Sequence, residues 1–173
     1  GYRLVGSEMC IRDSSNTVSL NNFMKDEYTY VFYNIIRETS DVHGYYLPEH
    51  IESYVVMLLS SYVEKPDFLP KTSFAEEYFN NNNVYSAKEL GDTCLFVTGV
   101  FPAYGKNKGL NVKYFSNIGK NSYSSIQQTL NANLFSELSL RFDYIRDFIK
   151  VSLQHQNTIA VSYTHLRAHE TIA

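Results

Sequence analysis

Apolar side chains along this chain recur at alternating spacings of three and four, the period of one helical face, and no segment sustains the every-second-residue alternation of a half-buried strand. Leu20, Phe23, Met24, Val31 and Ile35 predict a first helix over about residues 19–38, stopped before the turn at His43 and Gly44. A second helix starts near Pro48, a residue tolerated in a first helical turn. It places Ile51, Tyr54, Val55, Leu58, Leu59 and Tyr62 on one face, the clearest amphipathic stripe in the sequence. After Pro66 and Pro70, Ser73 followed by Glu76 is a capping-box pattern for a short helix bearing Phe74 and Tyr78; Ser86 with Glu89 repeats it, before a helix of different character.

That helix spans about residues 87–101, with Ala87, Leu90, Cys94, Val97 and Phe101 on one face and Leu95, Phe96 and Val100 on the others. A helix apolar nearly all round is the buried centre of a bundle, and the small Gly91 and Gly99 permit close backbone approach. Pro102 ends it. A loop, Ala103 to Leu110, leads to a fifth helix using Val112, Phe115, Ile118, Ile126 and Leu130. A sixth carries Phe135, Leu138, Phe142, Ile145 and Ile149, with Arg141, Asp143, Arg146 and Asp147 mostly outside. The predicted fold is all-α: an irregular antiparallel bundle of about five to six helices around the helix near 87–101.

The two ends follow a different logic. With one choice of codons for Val161–Glu170, the opposite DNA strand encodes Leu4–Asp13, and the pairing extends outward to Gly1 with Ala173 and inward to Ser14 with Ala160. It fails at Ser15 with Ile159, because no isoleucine codon complements a serine codon. Residues 1–14 and 160–173 resemble the translated transposase adapter of short-read library preparation, which implies that neither segment is native and that 15–159 is one helical domain. The paired spacing of His165 and His169 then carries no metal chemistry.

Composition changes little in this picture. The formal charge of −3 resides wholly in 15–159, since each end is internally balanced, and the one basic group is Lys106, Lys108 and Lys113. Without a basic face, nucleic-acid binding is not expected. The Asn80–Asn83 run reads as a loop, and the many Tyr and Phe as core filling by an AT-rich genome. Cys94 stands alone once Cys10 is set aside, which fits a reducing, cytoplasmic setting and excludes a disulfide framework or cysteine metal cluster. No apolar run approaches the roughly 20 residues of a membrane helix.

The stretch Leu90-Gly91-Asp92-Thr93-Cys94-Leu95-Phe96-Val97-Thr98-Gly99-Val100-Phe101-Pro102, then Val112-Lys113-Tyr114-Phe115 through Gly119 and Tyr123, and finally Leu134-Phe135-Ser136-Glu137-Leu138 with Arg141-Phe142, resembles an uncharacterised bacterial family of helical proteins. The resemblance covers residues 47–150. It implies a helical fold and a bacterial source, and it supplies no catalytic residue.

Candidate chemistry is sparse. Asp92 is the single formal charge between Leu90 and Phe101, and a carboxylate there must be paired, hydrogen-bonded or neutralised. It reads either as an acid or ligand facing a pocket, with Arg141 of another core helix as partner, or as a structural ion pair with a neighbouring Lys or Arg or a simple exposed edge; Arg141 itself fits better in a solvated pair with a nearby Asp on its own helix. His43 beside Asp41, His50 between Glu49 and Glu52, and His155 match no di-iron or zinc-protease spacing. Gly105-Lys106 lacks the rest of a phosphate loop, and no Gly-x-Ser-x-Gly elbow is present. Cys94 among apolar neighbours reads as inert packing.

No catalytic residue, metal or cofactor is therefore expected. The favoured expectation is a non-enzymatic interaction module of a bacterial cytoplasm, acting on a partner protein or as a homo-oligomer through an apolar patch of Tyr45, Tyr46, Phe101 and Tyr104. The alternative is a small ligand-binding protein or enzyme using a pocket near Asp92 and Arg141.

Overall fold

A computed structural model describes residues 14–63, 65, 67–70, 72–80, 84–126 and 131–154, with side chains placed from 27 in the first helix and from 86 in the fourth. Outside the described residues lie 1–13 and 160–173, Pro66, Asn81–Asn83, Leu130 and His155, together with the side chains of Leu20, Phe23 and Met24. The described residues form seven α-helices and no strand.

The first helix, α1 (Ser14–His43), runs past the predicted stop at 38 and ends where Gly44 turns left-handed at φ +70°. Its buried stripe is Phe32, Ile35 and Ile36, continued by Thr39 and Ser40; Val31, expected inside, is 38% exposed. The continuation is possible because Thr39 Oγ1 and Ser40 Oγ donate to the carbonyls of Ile35 and Ile36, so these hydroxyls are buried without an unmet hydrogen bond. Helix α2 (Glu49–Val63) starts just after Pro48, whose carbonyl accepts from the amides of Ile51 and Glu52, and buries Ile51, Val55, Leu58, Leu59 and Tyr62.

In α3 (Phe74–Phe79) the capping box forms as expected, with Ser73 Oγ accepting from the Glu76 amide and the Glu76 carboxylate from the Ser73 amide. The second such pattern does not cap. Helix α4 (Val84–Val100) already runs upstream of Ser86, because a local hydroxyl signal yields where the chain continues in helical geometry. Leu90, Cys94, Leu95, Phe96 and Val97 are buried, and α4 packs against α2 and α3 and against two later helices, α5 (Val112–Ser124) and α7 (Phe142–Gln154). The expectation of a central buried helix holds.

Close approach at this centre depends on glycine. A Cβ on Gly91 would lie 2.6 Å from the Tyr123 ring, one on Gly119 2.5 Å from the Phe142 ring, and one on Gly99 2.8 Å from Ile149. The predicted fifth helix ends at Ser124, with Ile126 buried just beyond it. The predicted sixth is two helices, α6 (Ala132–Leu140) and α7, meeting at Arg141. The break is slight: Arg141 (φ −98°, ψ 12°) still donates its amide to Glu137 O and accepts from the Ile145 amide, so Phe135, Leu138, Phe142 and Ile145 all stay on the core side.

Candidate functional site

Asp92 on α4 faces the core and is 5% exposed. Its Oδ1 accepts from Tyr54 of α2 at 2.5 Å and from Tyr123 of α5 at 2.7 Å, while its Oδ2 accepts from Lys88, one turn back on α4, at 2.8 Å. The Lys88 ammonium also sits 5.6 Å above the Tyr54 ring. Burial, reinforced by the Asp92 charge, pushes the Tyr54, Tyr62 and Tyr123 hydroxyls far above their ordinary 10.0 and keeps them protonated. Beside them, Tyr62 OH meets Thr93 Oγ1 at 2.9 Å. One carboxylate thus binds α2 and α5 to the central helix, with donors filling both of its oxygens.

Arg141 takes no part in this. Its side chain is half exposed and lies 3.7 Å from Glu137 Oε1 on its own helix, so the cation beside Asp92 is Lys88. The residue that pairs most easily with a buried carboxylate is the one already a helical turn away, since no loop must be ordered to bring it there. Neither of the two described cavities is lined by Asp92. Of the readings open for Asp92, its place here is that of the structural one, an ion pair with a neighbouring lysine that ties the bundle together. Cys94, next to it, is fully buried, and burial raises its thiol well above the usual range, which suits packing.

The proposed aromatic patch also divides. Phe101 is 3% exposed and packs on Phe96, so it belongs to the core. Tyr45 packs edge-on against Tyr144 and Phe148, and Tyr46, 68% exposed, donates its amide to Tyr144 OH and accepts from it through its carbonyl. Tyr104 stands instead with Phe74 and Phe115. His50 Nε2 lies 2.6 Å from Glu137 Oε2, joining α2 to α6, and the buried Glu52 meets Arg37 of α1 at 3.5 Å. Among the described residues no group of three or more His, Cys, Asp or Glu is placed to hold a metal, and no helix is long and apolar enough to cross a membrane.

A different place has the form of a site. Between α3 and the loop leading into α5 lies a cleft of about 580 Å³. Phe74 and Phe115 form its buried floor, their rings edge-to-face at 5.0 Å, and the half-buried Tyr104 and Tyr114 flank Phe115 at 5.4 and 4.9 Å. Leu69, Pro70 and Leu110 complete the apolar wall; Thr72, Ser73, Glu76, Asn107 and Lys108 line the rest.

Local sequence explains why the cleft stays open. The loop closes on itself through Gly105, whose carbonyl accepts from the amides of Lys108 and Leu110, around a short 3₁₀ turn (Lys106–Lys108) bounded by left-handed Gly105 and Gly109. At Gly105 (φ +83°) a Cβ would meet the Phe115 ring at 2.9 Å, so glycine is needed both for the turn and for the approach. Asn111 caps α5 by accepting from the Tyr114 amide, and Tyr114 OH accepts from the Ala75 amide, which ties α5 to α3 across the cleft. A second cavity of about 370 Å³ lies beyond Leu69 and Pro70 and is bordered by Lys65, Asp67, Glu77 and Glu89.

Of the aromatic cleft, sequence reasoning reached Tyr104 alone; Phe74 and Phe115 had been assigned as core-facing, and Tyr114 had no role. The signal that was present, Gly105 and Gly109 bracketing Lys-Asn-Lys between aromatic residues, marks a tight loop without saying what it closes against. No family model, no curated protein and no solved structure matches the chain.

Proposed function

We propose that this chain is a non-enzymatic binding module of a bacterial cytoplasm whose working surface is the aromatic cleft between α3 and the loop 101–111. The observation that carries the proposal is the cleft itself: about 580 Å³, with a buried aromatic floor and a few polar groups at its edge. That is the size and lining of ordinary small-ligand sites. The alternative site near Asp92 and Arg141 has less support, because Asp92 already accepts from Tyr54, Tyr123 and Lys88 and lines neither described cavity.

The test is thermal unfolding of the whole chain against a panel of small aromatic and apolar metabolites, with Leu110→Trp, which fills the cleft, alongside. A ligand at a hundred times its Kd adds about 2.7 kcal/mol, a rise of several degrees in midpoint for a chain of this length. A rise seen in the parent chain and lost in Leu110→Trp supports the cleft. A panel that moves neither protein, or moves both equally, rejects it.

A second reading is a contact with a partner protein or a second copy through Tyr46 and Tyr144. It draws on the reciprocal hydrogen bonds that hold Tyr46 against the Tyr144 hydroxyl while leaving its side chain 68% exposed, a rigid aromatic anchor of the kind found in interfaces. Sedimentation of the parent chain and of Tyr46→Ser separates the two: self-association lost on substitution favours the second copy.

A further inference from the structure

Resting on the cleft as the binding surface, we propose that its ligand is a planar aromatic molecule bearing an anionic group, of the aromatic carboxylate class. The polar groups at the edge decide this by what they have left to offer. Glu76, the one acid among the described lining residues, accepts at Oε2 from the amide and hydroxyl of Ser73 at 3.2 and 3.3 Å. Thr72 gives its proton to Glu77 and to the Ser73 carbonyl. Tyr114 OH accepts from the Ala75 amide, which leaves its own proton for a ligand.

Donors remain in excess. Lys108 is an exposed lining residue with no ion pair among the described residues, and the segment from Ala103 to Tyr114 carries Lys106, Lys108 and Lys113 and no acid. A ligand that brings acceptors meets these donors, and the strongest hydrogen bonds to ammonium and phenol donors come from a carboxylate. Tyr104 and Tyr114, standing half-buried on either side of Phe115, offer ring surface to a flat body at modest entropic cost. Lys108, one of the three lysines noted in the sequence, thus becomes the polar end of a small-molecule site.

The experiment titrates the whole chain with 2-naphthoate, 2-naphthamide and 2-naphthylmethylammonium, which share one ring system and differ in charge, and reads each Kd by calorimetry. Naphthoate is expected to bind about tenfold more tightly than the ammonium compound, as reversal of one partly screened charge implies. Lys108→Gln should narrow that ratio to about threefold, and Lys108→Glu should abolish or invert it. If all three bind with the same affinity, or the cation binds best, and Leu110→Trp blocks them, the anionic class is overturned while the cleft survives as a binding surface. If none binds while the chain melts cooperatively, both proposals fall.

Discussion

The Asp92 tie and the aromatic cleft are built from the same materials, tyrosine hydroxyls, a lysine and a carboxylate, yet one is closed and the other open. At Asp92 donors from α2, α4 and α5 meet both oxygens of one buried acid, which lines neither described cavity. Around the cleft one oxygen of the acid serves a helix cap, while Lys108 and the Tyr114 proton remain unspent beside ring surface. A buried charge is therefore a poor guide to function until its partners are counted. Unfilled hydrogen-bonding capacity next to an apolar cavity is the better one.

High pH should separate the two regions most strongly. The hydroxyls of Tyr54, Tyr62 and Tyr123 ionise in the folded chain only far above the ordinary 10.0, so the stability they contribute is complete below pH 10 and is lost as pH rises above it. Each should remove about 1.4 kcal/mol per pH unit from the folded state beyond that point. Alkaline unfolding followed by tyrosinate absorbance should be steep, and Tyr54→Phe should make it shallower by one tyrosine; an unchanged slope would mean that Tyr54 is not held as described.

Asp92→Asn is expected to destabilise the chain by about 2–4 kcal/mol in urea, because the amide cannot accept from three donors at once. The same variant should leave naphthoate affinity at the cleft unchanged so long as it is measured below the unfolding midpoint, and Lys108→Gln should do the reverse, weakening the anion while moving stability by less than about 0.5 kcal/mol. If Asp92→Asn instead abolishes binding in a folded protein, the division between the two regions is wrong.

Gly91→Ala tests the packing that holds the tie, since its Cβ would sit 2.6 Å from the fully buried Tyr123 ring. A loss of about 1–3 kcal/mol is expected, and less than additive loss when combined with Asp92→Asn because both act through Tyr123. Ser122→Ala should go the other way. Its Oγ is buried and has no hydrogen-bond partner among the described residues, so its removal should be neutral or stabilising by up to about 1 kcal/mol.

The smallest effect is expected at Asp143. Partial burial raises its carboxyl, but the Lys120 hydrogen bond and the charges of Arg146 and Lys120 outweigh this and hold it below its ordinary 3.8. Its contribution is present above that value and disappears as pH falls through the lower folded one. With the side chain half exposed, Asp143→Asn should flatten the acid limb of a stability curve by only a few tenths of a kcal/mol.

By itself the sequence determined the helical class, the core stripe of α2, the capping box at Ser73 and Glu76, and the buried centre at Leu90–Phe101, because each of these is written in spacings of three or four residues along one chain. It also required that Asp92 have partners. Tertiary structure alone decided who they are, since Tyr54 and Tyr123 stand 38 and 31 residues away in sequence and either could have been read as plain core. The same is true of the split at Arg141, where one apolar stripe serves two helices equally well. Of the cleft the sequence shows only the tight glycine-bracketed loop; the space itself exists because a short capped helix and that loop, distant in the chain, meet over Phe115 without filling the gap between them. Periodicity records which side of an element faces inward, and it carries no record of what waits there.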